Sequence, residues 1–91
     1  MKSATFTFRW PTFESLCELL QGVAPRPIIV TECTVGDIRY KFMTDSQAHF
    51  VVTDSSYKEQ SKYPLTKEGY KEAKAEFARR LSLHNIQIVD Y

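Results

Sequence analysis

Cysteine and histidine carry the most reactive side chains in this sequence, and there are two of each: Cys17, Cys33, His49 and His84. A structural zinc site draws on four such ligands at short paired spacings. The cysteines lie far apart with no C-x-x-C, and neither histidine has a cysteine or carboxylate at ligand spacing, so no metal is expected. Both cysteines fall on faces expected to be buried, which reads as free thiols in a reducing compartment. Spacing alone leaves one catalytic arrangement open, a Cys17 or Cys33 thiolate paired with His49 in three dimensions. Serines 46, 55 and 56 sit in polar stretches without the strand-turn-helix context of a nucleophile elbow. The three glycines are isolated, so no glycine-rich phosphate loop forms. No cofactor and no enzymatic activity are expected. One small sheet and two helices leave little volume for a deep, preorganised pocket.

The remaining chemistry is charge. In "TKEGYKEAKAEFARRL", Thr66 to Leu81, Lys67, Lys71 and Lys74 fall within one narrow arc of a helix, beside an apolar stripe of Tyr70, Ala73, Phe77 and Leu81. Glu68, Glu72 and Glu76 take the opposite flank, with Glu76 placed to pair with Arg79 and Arg80. Two uses fit the lysines. They can lay their methylenes along the apolar edge and keep the ammonium in water, or they can grip phosphate.

The phrase "YKEAKAEFARRL" resembles the second helix of a double-stranded RNA-binding domain, and "PTFESLCELLQ" is similar in pattern to that family's first helix. The family's α-β-β-β-α order matches residues 12 to 83. The resemblance implies duplex RNA binding through Lys67, Lys71 and Lys74. The sequence departs from the family at three places. The turn "VGD" stands where the family has a Gly-Pro-x-His loop, the segment from Asp54 to Leu65 separates the third strand from its helix, and two further strands flank the unit. On those departures the family is not adopted.

The elements that position these residues follow from periodicity. "ATFTFRW" alternates as a strand, with Phe6, Phe8 and Trp10 inward and Thr5, Thr7 and Arg9 outward. "TFESLCELLQG" switches to helical period, with Phe13, Leu16, Cys17 and Leu20 on one face, Thr12 as N-cap and Gly22 at C′. "IIVTECTV" is β-branched and apolar on both faces at Ile28 to Val30, the pattern of a central strand. Gly36-Asp37 turns the chain into "IRYKFM", with Ile38, Tyr40 and Phe42 inward. After the turn "TDSQA", "HFVVT" completes a meander. "DSSYKEQSKYP" reads as one long irregular segment, with Tyr57 and Tyr63 as lids onto the core. After the second helix, "NIQIVDY" closes the chain as a strand. The expected fold is α+β in the order β-α-β-β-β-α-β, a mostly antiparallel sheet with two helices packed on one face. The terminal strands are expected to join that sheet.

The 91 residues make one compact domain, 1–91. With 43% hydrophobic and 25% charged residues the chain is neither disordered nor membrane-spanning in composition. No segment reaches the roughly 18 apolar residues of a span. The start "MKSATFTFRW" lacks the apolar run of a signal peptide, so a cytoplasmic location is expected. A net charge of +1 lacks the basic excess that marks a dedicated nucleic-acid binder. Base stacking on an exposed sheet is disfavoured, because the rings are needed inside.

These readings converge on a small non-enzymatic protein that binds another protein, as an inhibitor, adaptor or accessory subunit of the kind phages and mobile elements encode. Arg9, Arg39 and Lys41 on the outer sheet face, Tyr57, Lys58 and Tyr63 in the loop, and any free sheet edge are the candidate contacts, tyrosine and arginine being the residues that concentrate interface energy. The alternative is double-stranded RNA or DNA bound through Lys67, Lys71, Lys74 and the basic sheet face. A homodimer is the third class.

Overall fold

The computed structural model describes residues 4–20, 27–55 and 59–89, and for Leu19 and Leu20 the backbone alone. In chain order the elements are β1 (Ala4–Thr7), α1 (Phe13–Leu20), β2 (Ile29–Val35), β3 (Ile38–Thr44), β4 (His49–Asp54), β5 (Ser61–Pro64), α2 (Lys67–Ser82) and β6 (Ile86–Val89). This is the expected α+β arrangement, and the expected order holds with one addition, β5. Strands β2-β3-β4-β5 form an antiparallel sheet in that order, while β1 and β6 pair parallel in a small sheet of their own. No helix among the described residues is long and apolar enough to cross a membrane.

The core forms where the two periodicities meet. Tyr40, Phe42, Phe50 and Val52 alternate inward from β3 and β4, and Tyr70, Ala73, Phe77 and Leu81 face them from α2. Phe42, Phe50, Val52, Ala73, Phe77 and Leu81 are all fully buried. Helix α1 reaches this core through Leu16 and through Phe13, whose ring lies 6.4 Å from that of Phe50 and 6.3 Å from that of Tyr70. Thr12 caps α1 by accepting from the Ser15 amide at 3.1 Å, and Thr66 caps α2 by accepting from the Gly69 amide at 3.0 Å. Gly22, the expected C′ residue, lies outside the described residues.

Four features differ from the sequence expectations. The terminal strands do not extend the meander. Phe6 stands beside Ile88 and Ala4 beside Ile86 in the parallel register, so Phe6, Ile86 and Ile88 share one face and cover the core next to α2. Helix α2 thereby packs against both sheets. Residues 61–64, expected to be irregular, form β5, with Tyr63 opposite Phe50 and packed on the core as the lid it was expected to be. Cys17 is exposed and Cys33 buried, both free. Position 17 sits 100° round the helix from Leu16, and the face of α1 that packs is the one centred on Phe13 and Leu16.

The fourth difference concerns β2, expected to be central. It stands at the edge, and Ile29 is half exposed. A bulge between Ile29 and Thr31 shifts its register, turning Val30 toward the core and Ile29 away from it.

Gly69 supplies a test of the β5–α2 junction. The turn from Pro64 into the helix is so tight that a Cβ at position 69 would overlap the Pro64 carbonyl oxygen. In an ordinary helix Gly→Ala gains about 1 kcal/mol. Here Gly69→Ala is expected to lose about 1–3 kcal/mol by overpacking against backbone, read as a lower urea midpoint.

Candidate functional site

Two regions combine accessibility with usable chemistry. The first is the edge of the larger sheet. Sheets protect their edges with short strands, proline or covering elements. The β5 edge has all three: it is four residues long, it ends at Pro64, and it lies under α2. Buried Arg80 locks it there, donating to the Glu59 carbonyl oxygen and to Ser61 Oγ, both at 3.0 Å. The β2 edge is seven residues long, contains no proline or basic residue, and pairs on one side only among the described residues.

The polarity of that edge follows from its hairpin. Val35 and Ile38 flank a two-residue turn whose first residue, Gly36, has φ +60°, the position that demands glycine in a type II′ turn. Such a turn closes on a hydrogen-bonded pair, and bonded and unbonded pairs alternate along an antiparallel ladder. Val35, Cys33 and Thr31 therefore bond to β3, while Glu32 and Thr34 turn their N–H and C=O groups outward. The side chains of Glu32 and Thr34 are exposed as well.

The second region lies between the first turns of α1 and α2. Tyr70 Oη donates to the Pro11 carbonyl oxygen at 2.6 Å and pins the chain before α1 onto α2. Trp10 packs edge-on to Phe42 at 5.1 Å and to Phe77 at 6.0 Å. Beside these rings opens a groove of about 480 Å3 lined by Trp10, Thr12, Phe13 and Tyr70, with Lys67, Lys71 and Lys74 along its rim. Lys67 Nζ lies 2.9 Å from Glu14 Oε1. That hydrogen bond and the attached charge raise the Lys67 ammonium and lower the Glu14 carboxyl from their ordinary values. Lys74 Nζ sits 4.6 Å from the centre of the Tyr70 ring and 5.8 Å from that of Trp10, within cation–π range.

The candidate contacts named from sequence do not share one surface. Arg39 and Lys41 alternate with buried Tyr40 and Phe42 and so project from the sheet face opposite α2, Arg39 exposed and Lys41 half-buried. Tyr63 lies on the α2 side. Arg9 is exposed after β1. Tyr57 and Lys58 lie outside the described residues. Lys67, Lys71 and Lys74 do come together, across the sheet from Arg39 and Lys41, so the helix stripe and the basic sheet face form two surfaces.

The reactive side chains have other partners. His49 Nδ1 is 3.2 Å from Asp45 Oδ2, a carboxylate neighbour four residues away that the spacing argument passed over. His84 Nε2 is 2.7 Å from Tyr40 Oη. Burial pushes the Cys33 thiol up, away from the reactive thiolate. Among the described residues no three His, Cys, Asp or Glu side chains cluster as metal ligands. Sequence reasoning missed Trp10 as the wall of the lysine groove, because nothing in the spacing of residues 10 and 74 links them. No protein-family model matches the chain, and neither does any curated protein or solved structure.

Proposed function

We propose that this chain is a non-enzymatic binding protein of the cytoplasm, an inhibitor, adaptor or accessory subunit, that captures an extended segment of another protein along the edge of β2. The observation that carries this reading is the mismatch between composition and place. Strand β2 has the apolar, β-branched content of an interior strand but stands at an edge, with Ile29 50% exposed and without the devices that blunt the β5 edge. Adding a partner strand there completes the ladder and gives Ile29 an apolar neighbour, the β-augmentation mode of peptide recognition. Glu32, exposed at the middle of the strand, favours a partner with lysine or arginine opposite it. It also disfavours a second copy of this chain, since full-length antiparallel self-pairing sets Glu32 against Glu32.

Thr34→Pro tests this directly. The substitution removes an outward N–H and leaves the bonds from β2 to β3 in place. Wild-type protein is expected to retain a partner from lysate at both low and physiological salt, and Thr34→Pro to lose it. Equal capture by the two proteins contradicts the reading. A melting temperature that rises with protein concentration would assign the edge to self-association instead. Capture of nucleic acid that falls steeply with salt and is lost in Lys67/Lys71/Lys74→Ala would move the function to the lysine stripe.

A further inference from the structure

Docking at β2 leaves the lysine groove unused, and the groove has features a merely solvated helix face lacks. Its rim holds three ammonium groups against one carboxylate, Glu14. Lys71 is exposed and makes no ion pair among the described residues. Lys74 is held over ring faces from Tyr70 and Trp10 and makes no ion pair among the described residues. The Lys67–Glu14 pair is exposed at both ends, and such pairs exchange partners at little cost. One wall is aromatic: Trp10, Phe13 and Tyr70.

We propose that this groove binds a small ligand made of a flat heteroaromatic ring carrying a phosphate, the chemistry of a nucleoside monophosphate. The volume lies within the range of small-molecule sites. Tyr70 is buried and stacked on Phe50, so the ring stacks on half-buried Trp10 and Phe13, with a gain that tolerates different bases, as Lys74 swings from the ring faces to the phosphate. Lys71 and Lys74, one turn apart on the same helix face, reach the phosphate together, and Lys67 follows by leaving Glu14. A duplex fits less well. The lysines surround a concavity, and the other basic pair, Arg39 and Lys41, faces the opposite way.

Trp10 is the only tryptophan in the chain, so a single indole N–H resonance reports from the wall of this groove. Adenosine 5′-monophosphate is expected to shift that resonance saturably. Adenosine or inorganic phosphate alone should bind at least about tenfold more weakly. Lys71→Ala and Lys74→Ala should each weaken binding about tenfold, the loss of one charged hydrogen bond. Lys71 is exposed and contributes nothing to the core, so its variant separates binding from folding. The proposal is overturned if the nucleotide leaves the indole unmoved, or if phosphate alone binds as tightly. It is equally overturned if folded Lys71→Ala/Lys74→Ala keeps full affinity, or if duplex RNA shifts the lysine amides with Trp10 unaffected. Thr34→Pro should bind the nucleotide like wild type, which keeps this site distinct from the β2 edge.

Discussion

Phe42→Ala is expected to remove about 3–5 kcal/mol of stability, the usual cost of truncating a buried phenylalanine. A domain of this kind holds only about 5–15 kcal/mol in total, so much of the margin goes. The ring is fully buried and meets four others: Trp10, Phe50 at 5.8 Å, Tyr70 at 5.9 Å and Phe77 at 6.0 Å. Most of these pairs are edge-on or tilted, the geometry that adds to simple burial. The cavity left by truncation would border two strands and α2 at once, with no single side chain able to fill it. Urea unfolding should show a lower midpoint at unchanged slope. Phe8 is the control. It is half-buried, resting on Phe6 and Trp10, and Phe8→Ala should cost about 1 kcal/mol. Equal, small losses at both positions would mean that the rings are not consumed internally.

Arg80→Ala is the second large effect, about 3 kcal/mol or more. Arg80 is 6% exposed and its guanidinium makes three bonds: to Glu76 Oε2 at 2.8 Å, to the Glu59 carbonyl oxygen and to Ser61 Oγ. Removing one partner of a buried pair leaves the others unsatisfied, which costs more than the pair itself contributes. The damage falls on β5, which Arg80 ties to α2, so the amides of residues 61–63 should lose protection first.

The same network predicts acid sensitivity. Hydrogen bonds from Arg79, and then from Arg80, hold the Glu76 carboxyl at about 2 against an ordinary 4.5, overcoming the burial that would raise it. A lowered folded-state value stabilises above the unfolded value and is lost as pH falls toward the folded one. Roughly 2–3 kcal/mol should therefore disappear between about pH 4.5 and 2. Glu76→Gln should flatten that part of the profile.

How much of this was legible in the sequence depends on the kind of signal. Local signals read well. The alternation of Tyr40 and Phe42, the caps Thr12 and Thr66, the Gly36 turn and the stripe Tyr70–Ala73–Phe77–Leu81 all stand where periodicity puts them. Strand β5 was hidden because "SKYP" has no apolar alternation. It is a strand because β4 and α2 both pack against it, which is tertiary context. The terminal sheet was misplaced for a related reason, since which sheet Phe6 and Ile88 join depends on α2 bridging both.

Arg80 had a weak signal. It falls three residues after Phe77, on the border of the apolar stripe, where a cation is buried only if its bonds are met; here Glu76 meets one of them at i−4. The sites were less legible than the fold. Apolar residues on both faces of "IIV" are what a central strand shows, and the edge position of β2 is visible only in the assembled sheet. Lysines at 67, 71 and 74 announce a stripe, but the aromatic wall facing them arrives from Trp10 at the other end of the chain.

The most direct test of the central claim, that the outward amides of β2 are the contact surface, is hydrogen exchange at single residues with and without the captured partner. Free, the Glu32 and Thr34 amides should exchange much faster than those of Cys33 and Val35, and the partner should slow them to match. Partner-induced protection confined to α2 or to β6, with Glu32 and Thr34 still exchanging freely, would contradict it.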